Sequence, residues 1–285
     1  MDSTTGEVRD SGPLAVSCEN LAFSYPGTER PALSNVSFEV RAGEYVGVVG
    51  PNGGGKSTLA RMLNGLLAPD SGSSRVLGVD PAVEPFEARK KVGVLFQNPE
   101  NSLVAPFVED DVAFGLENRG APVEEMRVRV RSALRAVGLE GYEKRETHTL
   151  SGGEKQCLAL AGLLAVEPEV LVLDEPTSML DPPGKRGLLR ILDGLRGNKT
   201  VLHVTHHLEE LLWADRILVL NEGQVMSEVV PSVLFSDARL LGENGLVLPP
   251  VLRLARDLGL DLPEIDSSEE LAQAILKEMG KRVIR

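Results

Sequence analysis

Apolar and polar positions alternate in short runs across residues 14–40, broken at Pro26-Gly27, and Ala42-Gly43 closes the stretch. That is the pattern of an antiparallel, hairpin-rich layer. Residues 45–49 form an apolar run of strand length, 57–67 read as a helix closed by Pro69-Asp70-Ser71-Gly72, and 92–96 as another short buried strand. From 98 to 166 the pattern turns helical: charged residues surround an apolar stripe over 123–137, and 155–165 is almost wholly apolar. The runs 170–173, 201–204 and 217–220 are again strand-like with helical segments between them, the alternation of a parallel sheet. Asn221-Glu222-Gly223-Gln224 reads as a hairpin turn. Beyond 235, amphipathic helices at 250–258 and 268–279 flank Leu260-Asp261-Leu262-Pro263, the second opening on the acidic start Ser268-Glu269-Glu270-Leu271. The expectation is an α/β chain with a polar tail (1–13), a main domain (14–234) carrying an inserted helical subdomain (98–166), and a small helical accessory domain (235–285).

Composition narrows the function classes. With 285 residues and 42% apolar content the chain has material for a substantial core. It contains no uninterrupted apolar run of about 18 residues, and residues 1–11 are polar and acidic, so neither a membrane span nor a secretory leader is expected. A net charge of −12 argues against nucleic acid as a partner and against direct adhesion to anionic lipid. The two cysteines, Cys18 and Cys157, lack metal-ligand spacing and read as thiols in a reducing compartment.

The chemistry is concentrated in Gly50-Pro51-Asn52-Gly53-Gly54-Gly55-Lys56-Ser57-Thr58, which follows the strand at 45–49 and opens a helix. This matches G-x-x-x-x-G-K-[ST], in which glycines turn backbone N–H groups inward around phosphates, a lysine reaches the outer phosphates and a hydroxyl ligates Mg²⁺. Asp174 and Glu175 end the strand at 170–173, where ligands of open α/β sheets gather; one carboxylate suits Mg²⁺ and the other a proton taken from water. An acidic pair at a strand end is common, and it gains meaning from the phosphate loop. Ser151-Gly152-Gly153-Glu154-Lys155-Gln156 opens a helix with free N–H groups and a hydroxyl, either a plain helix cap or a second anion site.

With two phosphate-facing devices in one chain, residues 14–230 resemble the ATP-binding-cassette (ABC) ATPases, P-loop NTPases in which the signature segment of one subunit closes on the γ-phosphate held by another. The resemblance implies ATP and Mg²⁺ as ligands and a second cassette subunit as partner. It places Tyr25 against adenine, although a strand tyrosine alone is more often a matter of core or surface packing. Gln97 matches the residue that senses Mg²⁺ and water, Ser178-Met179-Leu180-Asp181 the loop that communicates across the dimer, and His206 the switch histidine; His207 beside it reads as bland. Glu154 and Cys157 depart from the glutamine and arginine usual in the signature, which implies a weakened half-site, and Gly54 replaces a common serine.

Residues 97–118, the segment Thr177-Ser178-Met179-Leu180-Asp181-Pro182 and the helical tail look like those of ATP-binding subunits of energy-coupling factor transporters, importers of vitamins and transition-metal ions. That implies a transmembrane coupling subunit, a separate substrate-binding membrane protein, and a peripheral location on the cytoplasmic face of the membrane. The alternatives are a soluble ABC-type switch acting on ribosomes or DNA, and a nucleotide-dependent scaffold. Two fused cassettes or an inserted coiled coil would mark the switches, and neither occurs in this sequence; Glu175 speaks against the scaffold.

Overall fold

The computed structural model describes residues 12–259 and 268–283. Residues 1–11 of the polar tail and the Leu260-Asp261-Leu262-Pro263 segment lie outside the described residues. Strand β1 (Leu14–Phe23) and strand β2 (Leu33–Arg41) alternate buried with more exposed side chains and pair antiparallel, as a layer with one covered face requires. Strand β3 (Tyr45–Val49) is buried at every position and feeds helix α1 (Lys56–Leu63). The helix stops short of Leu67 because Gly65 adopts φ +67°, where a Cβ would lie 2.5 Å from the Pro81 carbonyl oxygen.

After α1 the chain forms a further strand where the sequence pattern suggests only a loop. Strand β4 (Ser71–Val76) pairs antiparallel with β1, giving a three-stranded sheet in the order β2-β1-β4, and helix α2 (Pro85–Lys91) precedes strand β5 (Val92–Leu95). Helices α3 (Val108–Asn118), α4 (Val123–Ala136) and α5 (Gly152–Val166) follow and pack on one another. Strand β6 (Val170–Asp174), helix α6 (Pro182–Asp193), strand β7 (Thr200–Val204), strand β8 (Arg216–Asn221) and strand β9 (Gln224–Val229) complete a six-stranded sheet in the order β5-β6-β7-β3-β8-β9. Only β9 runs antiparallel, returning from β8 through the expected hairpin turn.

The buried strands are two-sided. Val46, Val48, Val172, Leu202, Val204, Leu218 and Leu220 face a cluster shared with the antiparallel layer and α1. Their neighbours Tyr45, Val49, Leu171, Leu173, Val201, Ile217 and Val219 face a second cluster with α3, α4, α5 and α6. Period-two alternation thus serves two cores, which explains why these strands are apolar without a break. Past β9, helices α7 (Pro231–Ser236), α8 (Ala238–Glu243), α9 (Pro250–Asp257) and α10 (Ser268–Val283) contribute Phe235, Leu241, Leu252, Leu271 and Ile275 to that second cluster.

One ion cluster ties the two sheets. Arg216 of β8 bonds the Glu44 carboxylate through two nitrogens, the Glu228 carboxylate of β9 and the Glu39 carbonyl of β2. Burial raises the Glu44 carboxyl, but the Arg216 bond and charge outweigh it and hold the group below its ordinary value. Arg216→Met strands that carboxylate, and a loss of about 3–5 kcal/mol is expected as a lower urea midpoint at unchanged m-value. The double variant with Glu44→Gln should recover part of the loss; a single-variant shift under about 1 kcal/mol would place the cluster among ordinary surface pairs.

Candidate nucleotide site

Because β3, β5, β6 and β7 run parallel, their C-terminal ends share one edge of the sheet. At that edge lies a cavity of about 590 Å³ whose walls include Asn52, Gly53, Gly54, Gly55, Lys56, Ser57 and Thr58 after β3, Gln97 after β5, Asp174 and Glu175 at the end of β6, and His206 after β7. Four separated stretches of sequence therefore meet in one place. Tyr25 closes another wall with Thr28, Arg30, Pro31 and Ala32 of the β1–β2 connection, four residues that carry no motif and were not legible as site residues. A separate cavity of about 620 Å³, bounded by Arg129, Leu164, Ile191 and Lys199 among others, contains none of the motif residues.

Glycine is required in the loop for space as well as conformation. A Cβ on Gly50 would stand 1.8 Å from the Leu220 carbonyl oxygen, and one on Gly55 would stand 2.5 Å from that of Ala32. Gly55 also caps α1 at φ +102° with no side-chain bond, leaving the first N–H groups of the helix for an anion. Even Gly54 is tight, its notional Cβ lying 2.9 Å from the Leu220 oxygen. A serine there needs a slightly different loop path.

Lys56 folds back so that its Nζ donates to the carbonyls of Gly50 (2.8 Å) and Pro51 (3.0 Å). Burial pushes its pKa down, and the nearby charges of Glu175 and Asp174 push it back part of the way. Asp174 is held above the usual carboxylate range by burial and by Glu175, against the Ser57 hydroxyl bonded to it. One oxygen of each acid, Asp174 Oδ1 and Glu175 Oε2, is buried without a hydrogen-bond partner. Orphaned carboxylate oxygens beside a hydroxyl and the Gln97 side chain are the hard donors that suit a small divalent cation sharing its shell with phosphates. The other Glu175 oxygen, Oε1, lies 2.8 Å from His206 Nδ1, and the imidazole is half exposed. That pair can orient a water and take its proton.

Tyr25 stacks edge-on against Phe23, with ring centroids 4.9 Å apart, and its hydroxyl lies 3.2 Å from Thr58 Oγ1. The Ser151-Gly152-Gly153 segment stands apart and does not line the cavity. Ser151 caps α5 through a reciprocal pair of bonds, Glu154 N to Ser151 Oγ (3.2 Å) and Ser151 N to Glu154 Oε2 (2.7 Å). Glu154 is further paired with Arg145 at 3.4 Å, so the extra carboxylate carries its own cation. The Cys157 thiol is pushed up by burial and by Glu154 and stays neutral. Asp181 caps α6 by accepting from Gly184 N at 2.9 Å, and Leu180 lies 3.2 Å from a notional Cβ on Gly153, which puts the Ser178-Met179-Leu180-Asp181 loop against the start of α5.

Residues 33–178 match the family described as ABC transporter. The chain belongs to that family. Among its relatives, the energy-coupling factor transporter ATP-binding protein EcfA1 of Lactobacillus delbrueckii subsp. bulgaricus is 44% identical over 270 residues, spanning 91% of this chain and 96% of the relative. The EcfA1 proteins of Levilactobacillus brevis (47% identity; 82% of this chain, 85% of the relative) and Geobacillus kaustophilus (45%; 94% and 98%) are similar to it as well. The solved structure of cbiO1 from Clostridium perfringens, described as part of the ABC transporter complex cbiONQ, superposes with a TM-score of 0.71 at 32% identity, covering 85% of this chain and 99% of that one. The ATP-binding cassette MJ0796, solved as a dimer in a post-hydrolysis state with ADP and Pi, gives 0.71 at 30% identity over 76% and 98%. The ABC ATPase fold and an ATP-hydrolysing activity follow for this chain.

Lys56→Met removes a cation from the phosphate loop. ATP affinity measured by calorimetry is expected to fall about 10–100-fold, the equivalent of one charge-assisted hydrogen bond. Unchanged affinity would take Lys56 out of the phosphate site.

Proposed function

We propose that this chain is the ATP-hydrolysing subunit of an energy-coupling factor importer of vitamins or transition-metal ions, acting as one half of a cassette dimer on the cytoplasmic face of the membrane. The carrying observation is the separation of the two anion devices: the phosphate loop lines the cavity while Ser151, Gly152 and Gly153 lie outside it. A γ-phosphate bound at Lys56 is then completed by the signature of a second chain. In that arrangement Ser57, Gln97 and Asp174 hold Mg²⁺, which neutralises phosphate oxygens when bound, and Tyr25 faces the adenine. Asn52 to Thr58 supply N–H groups and hydroxyls to the phosphates. Glu175 takes the proton of the attacking water and His206 steadies it.

A membrane partner is supported by surface chemistry. Among the described residues no helix is long and apolar enough to cross a membrane. Val83 and Phe86 at α2 are about three-quarters exposed, and Val104, Phe107 and Phe114 at α3 are also open to solvent. The two helices are neighbours, since Arg119 at the end of α3 donates to the Lys90 carbonyl in α2. Exposed aromatic side chains with acidic Glu109 and Asp110 nearby suit an amphipathic helix of a transmembrane subunit.

Three measurements test the reading. Glu175→Gln should lower turnover about 10²–10⁴-fold while ATP binding persists, and full turnover in that variant would remove the assignment of the base. Purification from native membranes should recover a transmembrane subunit and a second cassette, and Phe86→Asp with Phe114→Asp should release the membrane subunit without loss of ATP binding. Recovery of ribosomes instead of membrane subunits would sink the transport assignment.

A further inference from the structure

Glu210 lies in a single 3-10 turn, Leu208–Leu211, behind the catalytic edge, and is fully buried. Its Oε1 accepts from Thr177 Oγ1 and from Lys185 Nζ, both at 2.6 Å, and its Oε2 accepts from Thr205 Oγ1 at 3.1 Å. His203 Nε2 lies 3.3 Å from that second oxygen. Burying a carboxylate is costly, and apolar packing would hold such a turn at lower cost. What the charge adds here is direction. Thr177 stands two residues after Glu175, and Thr205 immediately precedes His206.

The contacts close a ring. Glu175 leads along the chain to Thr177, across Glu210 to Thr205, on to His206, and back through the 2.8 Å contact between His206 Nδ1 and Glu175 Oε1. Glu175 needs such support, because its backbone sits at φ +52°, a region that L residues rarely adopt. Its N–H is also tied to the Val204 carbonyl at 2.9 Å, so both of its backbone flanks are referred to the end of β7. Although burial raises it, the contacts with His203 and Lys185 hold the Glu210 carboxyl down at about 2.

We propose that Glu210 is a positioning residue, which sets the geometry of the Glu175–His206 pair by gripping the hydroxyls of Thr177 and Thr205 with one carboxylate. The inference rests on the proposal that Glu175 and His206 act on the attacking water. Neither Glu210 nor the threonines line the nucleotide cavity, so their loss should leave ATP binding intact. A misplacement on the order of 1 Å in a reacting pair costs up to about 10²-fold in rate.

The test uses the assembled cassette dimer, with single-turnover hydrolysis, steady-state kcat and KM, and ATP affinity measured for each variant. Glu210→Gln and the near-isosteric Thr205→Val and Thr177→Val should lower the chemical step about 10–100-fold, with KM and ATP affinity unchanged. Thr205→Ser, which keeps the hydroxyl, should restore most of the rate. Glu210→Gln combined with Thr205→Val should fall no further than the worse single variant. If Glu210→Gln does not fold, the threonine series decides alone. Full turnover in the folded threonine variants, or equal losses in Thr205→Val and Thr205→Ser, or a parallel loss of ATP affinity, would overturn the clamp. Glu175→Gln and His206→Ala run alongside: if both retain turnover, the underlying pair assignment has failed, whereas if both are inactive and the clamp variants are not, only the clamp has failed.

Discussion

Asp174, Glu175 and Lys56 are buried together at one edge of the sheet, and their charges are not fully satisfied within the described residues. Each acid keeps one buried oxygen without a partner, and the lysine turns to the carbonyls of its own loop. Desolvated charge in this state is costly, and opposite charge with hydrogen bonds relieves it. An anion ringed by N–H groups, together with a divalent cation on the acids, meets both demands at once. Affinity for a nucleotide phosphate is thus the counterpart of a strain in electrostatics that the fold imposes, and most of the remaining architecture serves to impose it.

Topology does this in two ways. β3 lies between β7 and β8, so the phosphate loop leaves the sheet hemmed in by neighbours: the Leu220 carbonyl at the end of β8 blocks any side chain at Gly50, and the Ala32 carbonyl from the antiparallel layer blocks one at Gly55. The loop is forced into glycine, and glycine exposes the N–H groups. On the other flank, β6 and β7 run side by side with Asp174 opposite Val204, which fixes the acids beside the loop that carries His206. The Arg216 cluster ties the two sheets at the start of β8, and beside the loop the Ser34 N–H donates to the Gly223 carbonyl (2.8 Å) and the Gly223 N–H to the Gly54 carbonyl (3.2 Å).

Much of this was legible in the sequence where one physical demand dominates. Strands buried on both faces must be apolar throughout, so β3, β5, β6, β7 and β8 stand out, and a phosphate loop admits few residue types, so Gly50 to Ser57 is unmistakable. β4 was missed because Ser-Gly-Ser-Ser-Arg-Val has little strand propensity; it is a strand by virtue of pairing Val16 with Val76, a long-range fact. The loop that supplies Thr28 and Arg30 to the cavity carries no motif for the same reason, as its role comes from where β1 and β2 place it. Glu210 is the sharpest case. In Leu208-Glu209-Glu210-Leu211 an acid reads as solvated, and only the fold shows one of the two glutamates fully buried among two hydroxyls, a lysine and an imidazole.

The signature segment shows how a departure from a family pattern is absorbed locally. A carboxylate at Glu154 in place of an amide ought to repel a phosphate brought to Ser151, since both lie at the start of α5. Here the carboxylate is turned back onto the Ser151 N–H and paired with Arg145, and the backbone bond to Ser151 leads the interactions that keep it ionised despite partial burial. An acid at this position strengthens the cap that a glutamine makes with a neutral group, so the N-terminal turn of α5 gains rigidity as it gains a charge. Arg145 screens that charge from the side, and the Ser151 hydroxyl with the Gly152 and Gly153 amides are the groups that the proposed dimer would offer to a phosphate held by another chain.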